Sequence, residues 1–293
     1  MKKYTTLGEL LKDYRKLNNI SQSDLSIRLN VDVRTLFRWE NNETLIKSEK
    51  EEELVEETFI PYQLIRNLNA NVAIPTFYDF RIRKYSYSEL SNELPEAEWF
   101  RTHLDIESHR SRPIAHQSDL DHISNYFKHF YDQVKTISLD LIMEAARIAP
   151  TLNQILFDTS GYYAGHCIAF PIKRDIYNKL KGKEMREEAL DINCLTTVKP
   201  GEETLFYFYN ITADCNENMF YILCPLLKYF QEFESGNYKI AALVLRPDGF
   251  NLIEQLGLKL TWEDHNSGIS PDLGFLPMFY EGDFNEFLEK IPD

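Results

Sequence analysis

The chain has 293 residues, 43% hydrophobic and 13% aromatic, with 46 acidic against 32 basic side chains and a net charge of −14. That composition excludes a disordered or low-complexity chain, and no run of about 18 apolar residues marks a membrane span. The length suits one small and one large domain. Charge is unevenly placed. Residues 1–38 carry eight Lys/Arg against four acids, a balance of +4 that leaves −18 for the rest. A basic end on an acidic body suits a protein that meets a polyanion with one face.

Met1-Lys2-Lys3-Tyr4 leads into polar residues, so no secretory leader is read. Thr6 with Glu9 reads as a capping box, and Leu7, Leu10, Leu11, Tyr14 and Leu17 follow at helical spacing. Asn18-Asn19 ends that helix, because Asn tolerates a left-handed residue. Ser21 caps a second helix with Asp24 at its third position, Leu25 and Leu29 face inward, and Asn30 gives a tight turn. Asp32 caps a third helix through Leu36 and Trp39 to about Asn41. Residues 49–57 form an acidic helix with a solvated face, and Pro61 opens a fifth helix that carries Leu64, Ile65 and Leu68.

The stretch Leu7-Gly8-Glu9-Leu10-Leu11, Ile20-Ser21-Gln22-Ser23-Asp24-Leu25, Leu29-Asn30-Val31 and Thr35-Leu36-Phe37-Arg38-Trp39-Glu40-Asn41 resembles the Cro/repressor-like helix-turn-helix family. Ser26 replaces the usual Ala, and Asn19, Asn30 and Asn42 stand where Gly is usual. The resemblance implies binding to double-stranded DNA, with the helix after Asp32 in the major groove. It assigns Gln22, with Ser23 beside it at the start of the second helix, to the DNA backbone and to bracing the recognition helix. Val33, Arg34 and Thr35 are the candidates for reading base edges, with Arg34 suited to guanine and Val33 to a thymine methyl. Phe37 is unusual for the family and is a candidate for a sugar or methyl contact, or for packing. Arg38 and Lys12 are candidates for phosphate contacts, which position without reading sequence.

Domain boundaries are read at 1–69 for an all-α, five-helix unit, 70–111 for a connecting segment and 112–293 for a mixed α/β unit, an α+β two-domain chain. In the connection, Tyr78, Phe80 and Ile82 alternate with polar residues as a strand, with Arg81, Arg83 and Lys84 on its solvated face, and residues 91–111 read as a linker. Beyond it, the pattern predicts a short strand at Arg112-Pro113-Ile114, helices at 119–131 and around Leu139, Ile142 and Ala146, and a hairpin of 154–158 and 162–172 turning at Ser160-Gly161. It then predicts a strand at 205–211 buried on both faces, a helix at 218–233, a strand at 239–245, a helix at 250–256, and final strands at 258–262 and 273–280.

With Gly165–Ile172 and Asp248–Leu258, this order, a helix between two strands at its centre, resembles the GNAT acetyltransferase superfamily over roughly residues 112–285. The resemblance implies acetyl-coenzyme A held by a glycine-bearing turn at the start of that helix. Here the turn reads Asp214-Cys215-Asn216-Glu217-Asn218-Met219, with no glycine and two acids, Pro225 is expected to kink the following helix, and Ile253 stands where the family has a tyrosine acid. No cofactor is therefore predicted, no catalytic residue is assigned, and an acyltransferase with a tethered helix-turn-helix is the alternative to a regulator. Cys167, Cys194, Cys215 and Cys224 form no C-x-x-C pair and are read as free thiols of a cytoplasmic protein. The seven histidines are scattered, and no metal site is predicted. The expected partners are DNA, a second copy in a homodimer and a small-molecule effector, with no membrane.

Overall fold

The computed structural model describes residues 1–88, 97–104, 110–130, 137–199, 201–233, 237–245, 247–265 and 276–291. The first part opens with strand β1 (Lys2–Tyr4), followed by α1 (Leu7–Leu17), α2 (Gln22–Arg28), α3 (Val33–Glu40), α4 (Ser48–Thr58) and α5 (Tyr62–Leu68). All five expected helices form. To them is added a sheet of order β1-β2-β3, in which β2 (Thr76–Asp79) pairs antiparallel with both β1 and β3 (Lys84–Ser86). The strand read from Tyr78 and its neighbours thus closes back on residues 2–4.

The caps follow the chemistry of the sequence. Ser21 and Asp24 exchange both capping-box bonds, and Asp32 accepts from the Thr35 amide. Thr6 accepts from the Glu9 amide, but the Glu9 carboxylate reaches Thr5 rather than Thr6, so that box is displaced by one residue. Asn19, Asn30 and Asn42 take φ of 52°, 47° and 58°, the left-handed shape expected where relatives of the motif carry Gly. The core of this part holds Tyr4, Leu10, Leu11, Leu25, Leu29, Leu36, Leu54, Leu64, Tyr78 and Tyr85. Each fully buried leucine stabilises by roughly 2 kcal/mol.

Residues read as a linker contain α6 (Ala97–His103), whose Phe100 is fully buried in the larger core. That correction follows from an apolar pair, Trp99-Phe100, in an otherwise polar stretch. The remaining elements are β4 (Ser111–Pro113), α7 (Gln117–Phe130), α8 (Leu139–Ile148), β5 (Gln154–Phe157), β6 (Tyr163–Ile172), α9 (Arg174–Lys181), β7 (Thr204–Ala213), α10 (Asn216–Gln231), β8 (Tyr238–Val244), α11 (Pro247–Gln255), β9 (Lys259–Glu263), β10 (Met278–Gly282) and α12 (Asn285–Leu288). Helices α9 and α12 lie outside the elements that the sequence pattern predicts. Residue 131, expected to end α7, and residues 273–275, expected to open the last strand, lie outside the described residues.

The seven-stranded sheet has the order β4-β5-β6-β7-β8-β10-β9. All neighbours are antiparallel except β7 and β8, which run parallel and are joined through α10. Along β7, Leu205 and Tyr207 point into a core with α7, α8 and α9, while Phe206 and Phe208 point into a second core with α10. A strand covered on both faces explains its nearly continuous apolar run. Pro225 sits inside α10, which is helical from Asn216 to Gln231. Pairing of β7 with β8 ends at Phe208 and Ala242, although both strands continue.

Arg83 joins the two parts. The alternating pattern predicts a solvated strand face for it, yet it is buried in the β2–β3 turn at φ 51°. Its Nε donates to the Phe59 carbonyl (3.0 Å) and its Nη2 to the Tyr163 carbonyl (2.9 Å). The same guanidinium lies over both rings, 4.4 Å and 5.1 Å from their centroids. Lys84 is also buried, and Tyr62 stacks on Tyr162 at 4.2 Å. These contacts come from Phe59 just after α4, from α5 and from the β2–β3 turn.

Candidate nucleic-acid interface

α3 is an eight-residue helix with Leu36 and Trp39 buried beneath it. Residues one turn apart share a face, so Val33 and Phe37 form one row and Arg34 and Arg38 the next. All four side chains are exposed, Val33 to 43% and Phe37 to 49%. Neither guanidinium is held in an ion pair among the described residues. Thr35 is half-buried and its hydroxyl donates to Asp32 (3.1 Å), so part of its hydrogen-bonding capacity already serves the cap.

Beneath these rows lies a network that sequence reasoning missed. Glu40, at the end of α3, is only 1% exposed. It accepts from Arg15 of α1 through both oxygens (2.5 and 3.0 Å) and from Gln22 of α2 (2.7 Å). Arg15 also donates to the Ile20 carbonyl at 3.2 Å, closing the α1–α2 turn. One carboxylate thus fixes the mutual orientation of three helices, and the two-pronged Arg contact adds geometric definition. Gln22 braces α3, the structural half of the role that the resemblance implied. Ser23 beside it is exposed at the start of α2. Lys12 is half-buried and donates to Asn41, the residue capping α3, at 3.0 Å. The amide of Gly8 bonds Asn42 (3.1 Å), and a Cβ at Gly8 would lie 2.4 Å from the Glu40 carbonyl. Only glycine lets α1 approach α3 this closely. All eight sequence-derived residues therefore lie on three adjacent helices.

The acidic helix departs from expectation at one position. Glu51 is fully buried and is paired with Arg66 (2.8 Å) and Asn69. Its neighbours Glu49, Glu52, Glu56 and Glu57 are exposed as expected.

The N-terminus of α10, where the second resemblance would put a coenzyme A pyrophosphate, does not fit that group. The Asp214 carboxyl is 2% exposed and is bonded by the Asn218 amide (2.6 Å). Burial raises it to about 6, although Arg83 and the Asn218 bond pull the other way. The Asp214 carbonyl accepts from the Tyr85 amide of β3 at 2.7 Å. Cys215, which caps α10 without a side-chain bond, belongs to the core of the first part. Its thiol is buried and pushed up to about 12, an inert thiol as read. A carboxyl and a strand therefore stand where an anion would need open amides. Among the described residues, no helix is long and apolar enough to cross a membrane, and no three His, Cys, Asp or Glu cluster as metal ligands.

Comparison with known proteins matches residues 11–59 to the helix-turn-helix family model. No curated protein is similar to the chain. Among solved structures, Naa20 of Chaetomium thermophilum in complex with a bisubstrate analogue is 11% identical, over 62% of this chain and 92% of that one, at a TM-score of 0.39. Naa50 of Arabidopsis thaliana with a bisubstrate analogue is 10% identical over 60% and 99%, at 0.40. The GNAT-like decarboxylase GphF with isobutyryl-CoA is 15% identical over 60% and 100%, at 0.42. Family match, helix order, capped turns and the Arg15–Glu40–Gln22 lock agree that residues 11–59 are a helix-turn-helix segment.

Proposed function

We propose that the protein is a DNA-binding transcriptional regulator that places α3 in the major groove and uses its seven-stranded half for dimerisation or for sensing a small molecule. One observation carries this reading. Arg34 and Arg38 project, with no salt bridge among the described residues, from a helix whose opposite side is locked by a buried carboxylate, with Val33 and Phe37 exposed beside them. Exposed side chains on a rigidly held helix are what groove contacts require. Gln22 and Ser23 at the start of α2, and Lys12 and Arg38, serve the phosphates on either side of the groove. The regulator acts in the cytoplasm as a homodimer on two half-sites about 34 Å apart, one turn of the duplex. Four buried, free cysteines suit a reducing compartment.

Gel-shift titration of the full chain at rising salt tests the reading. Affinity for a selected duplex should fall by about three decades or more between 50 and 200 mM salt if six or more phosphates are contacted. Arg34→Ala should cost about 1–3 kcal/mol and relax choice at one base pair. Lys12→Ala should weaken all duplexes alike and reduce the salt slope by about 1. Binding that ignores salt, or equal effects of the two substitutions on sequence choice, would remove the proposal.

A further inference from the structure

We propose that Val33 and Phe37 together read thymine methyl groups, so that each half-site carries two thymines about two base steps apart. The inference rests on the DNA-binding reading above and makes it more specific. Val33 and Phe37 are apolar side chains left 43% and 49% exposed on a helix whose inward face is filled by Leu36 and Trp39. Neither belongs to the core of the helical part. They lie one turn apart and form a single apolar row, beside the row of Arg34 and Arg38.

In the major groove only thymine offers an apolar group, its C5-methyl. An apolar row therefore distinguishes thymine from cytosine at a pyrimidine position without a hydrogen bond. Spacing agrees with this use. Four residues of helix rise about 6 Å, against about 3.4 Å per base along one strand, so the two side chains address bases about two steps apart. The neighbouring charge decides the occupant. Two exposed guanidinium groups one helical step away match a polyanion, Arg34 at a guanine edge and Arg38 at a phosphate, whereas an apolar groove on a protein partner would have to bury them without compensation.

The test uses the full chain and a duplex selected from random sequence. Each thymine of that duplex is replaced in turn by uracil, which removes the methyl and leaves base pairing unchanged. Two positions should each lose roughly fourfold in affinity, the value of one buried methyl-sized group. Phe37→Ala should abolish the thymine preference at one of these positions only, and Val33→Ala at the other. Uniform affinity across all uracil duplexes would overturn the inference and leave the regulator standing. Failure to select any duplex above non-specific binding would overturn both.

Discussion

Asp214 shows how one side chain can change the meaning of a site. In the sequence it is an acid that would repel a phosphate; in the fold it is a buried carboxyl under the helical part. Its proton affinity is raised from the ordinary 3.8 to about 6. The folded state therefore holds the proton more tightly than the unfolded chain does. That stabilisation is complete below about pH 4 and is lost as pH rises through about 6. Asp214→Asn removes the titration. Urea unfolding between pH 4.5 and 8 should show the wild type losing about 2 kcal/mol relative to the variant; parallel curves for the two proteins would contradict the burial argument. Residues were unevenly legible at this scale. Val33, Arg34 and Phe37 could be placed on the surface of α3 because helical periodicity fixes their face. Glu40 could not, since a lone acid usually reads as solvated and its partner Arg15 lies 25 residues away. Arg83 failed for the same reason: nothing in an alternating strand pattern says which end of a guanidinium is buried.

Among the elements, the three left-handed asparagines punctuate the helical part. Asn30 closes the turn between α2 and α3 at φ 47°. A side chain branched at Cβ pays about 1–2 kcal/mol to adopt that shape. Asn30→Val should therefore lower stability by about that amount, while Asn30→Gly should leave it within about 0.5 kcal/mol of the wild type, as thermal unfolding can measure. Equal effects would mean that the turn does not depend on backbone handedness. Caps and turns were readable because they are local: Ser21, Asp24 and Asp32 act within three or four residues. The hairpin of β5 and β6 was readable for the same reason, with Gly161 at φ 86° in its turn. Strand β1 was not. Three residues carry too little periodicity, and their partner β2 lies more than seventy residues downstream. Helix α6 was lost in a polar stretch because its single fully buried ring, Phe100, answers to a distant core.

For the whole molecule, the decisive contact is Arg83 between the helical part and the large sheet. It bonds a carbonyl on each side and lies over an aromatic ring from each. Arg83→Ala removes both hydrogen bonds, at about 2–3 kcal/mol in total. Calorimetry should then resolve two transitions where the wild type gives one, and hydrogen exchange should quicken around residues 59–62. A single transition at a lower temperature would mean that Arg83 stabilises without coupling. Lysine would not replace it, since a point charge cannot serve two carbonyls and two rings in one geometry. The sequence separated a helical half from a sheet half, but their junction was invisible in it, because Phe59, Arg83, Tyr163 and Cys215 are brought together only by the finished fold.

The pairing of residues 2–4 with 76–78 and the place of Cys215 in the first core bear on synthesis. The helices of the first part can form as they leave the ribosome, but their small sheet must wait until residue 86 has emerged. The last piece of their core arrives only with residue 215, after more than two thirds of the chain has been made. A nascent chain stalled between residues 86 and 215 would leave Tyr85 without Cys215 against it, so truncated products should attract chaperones.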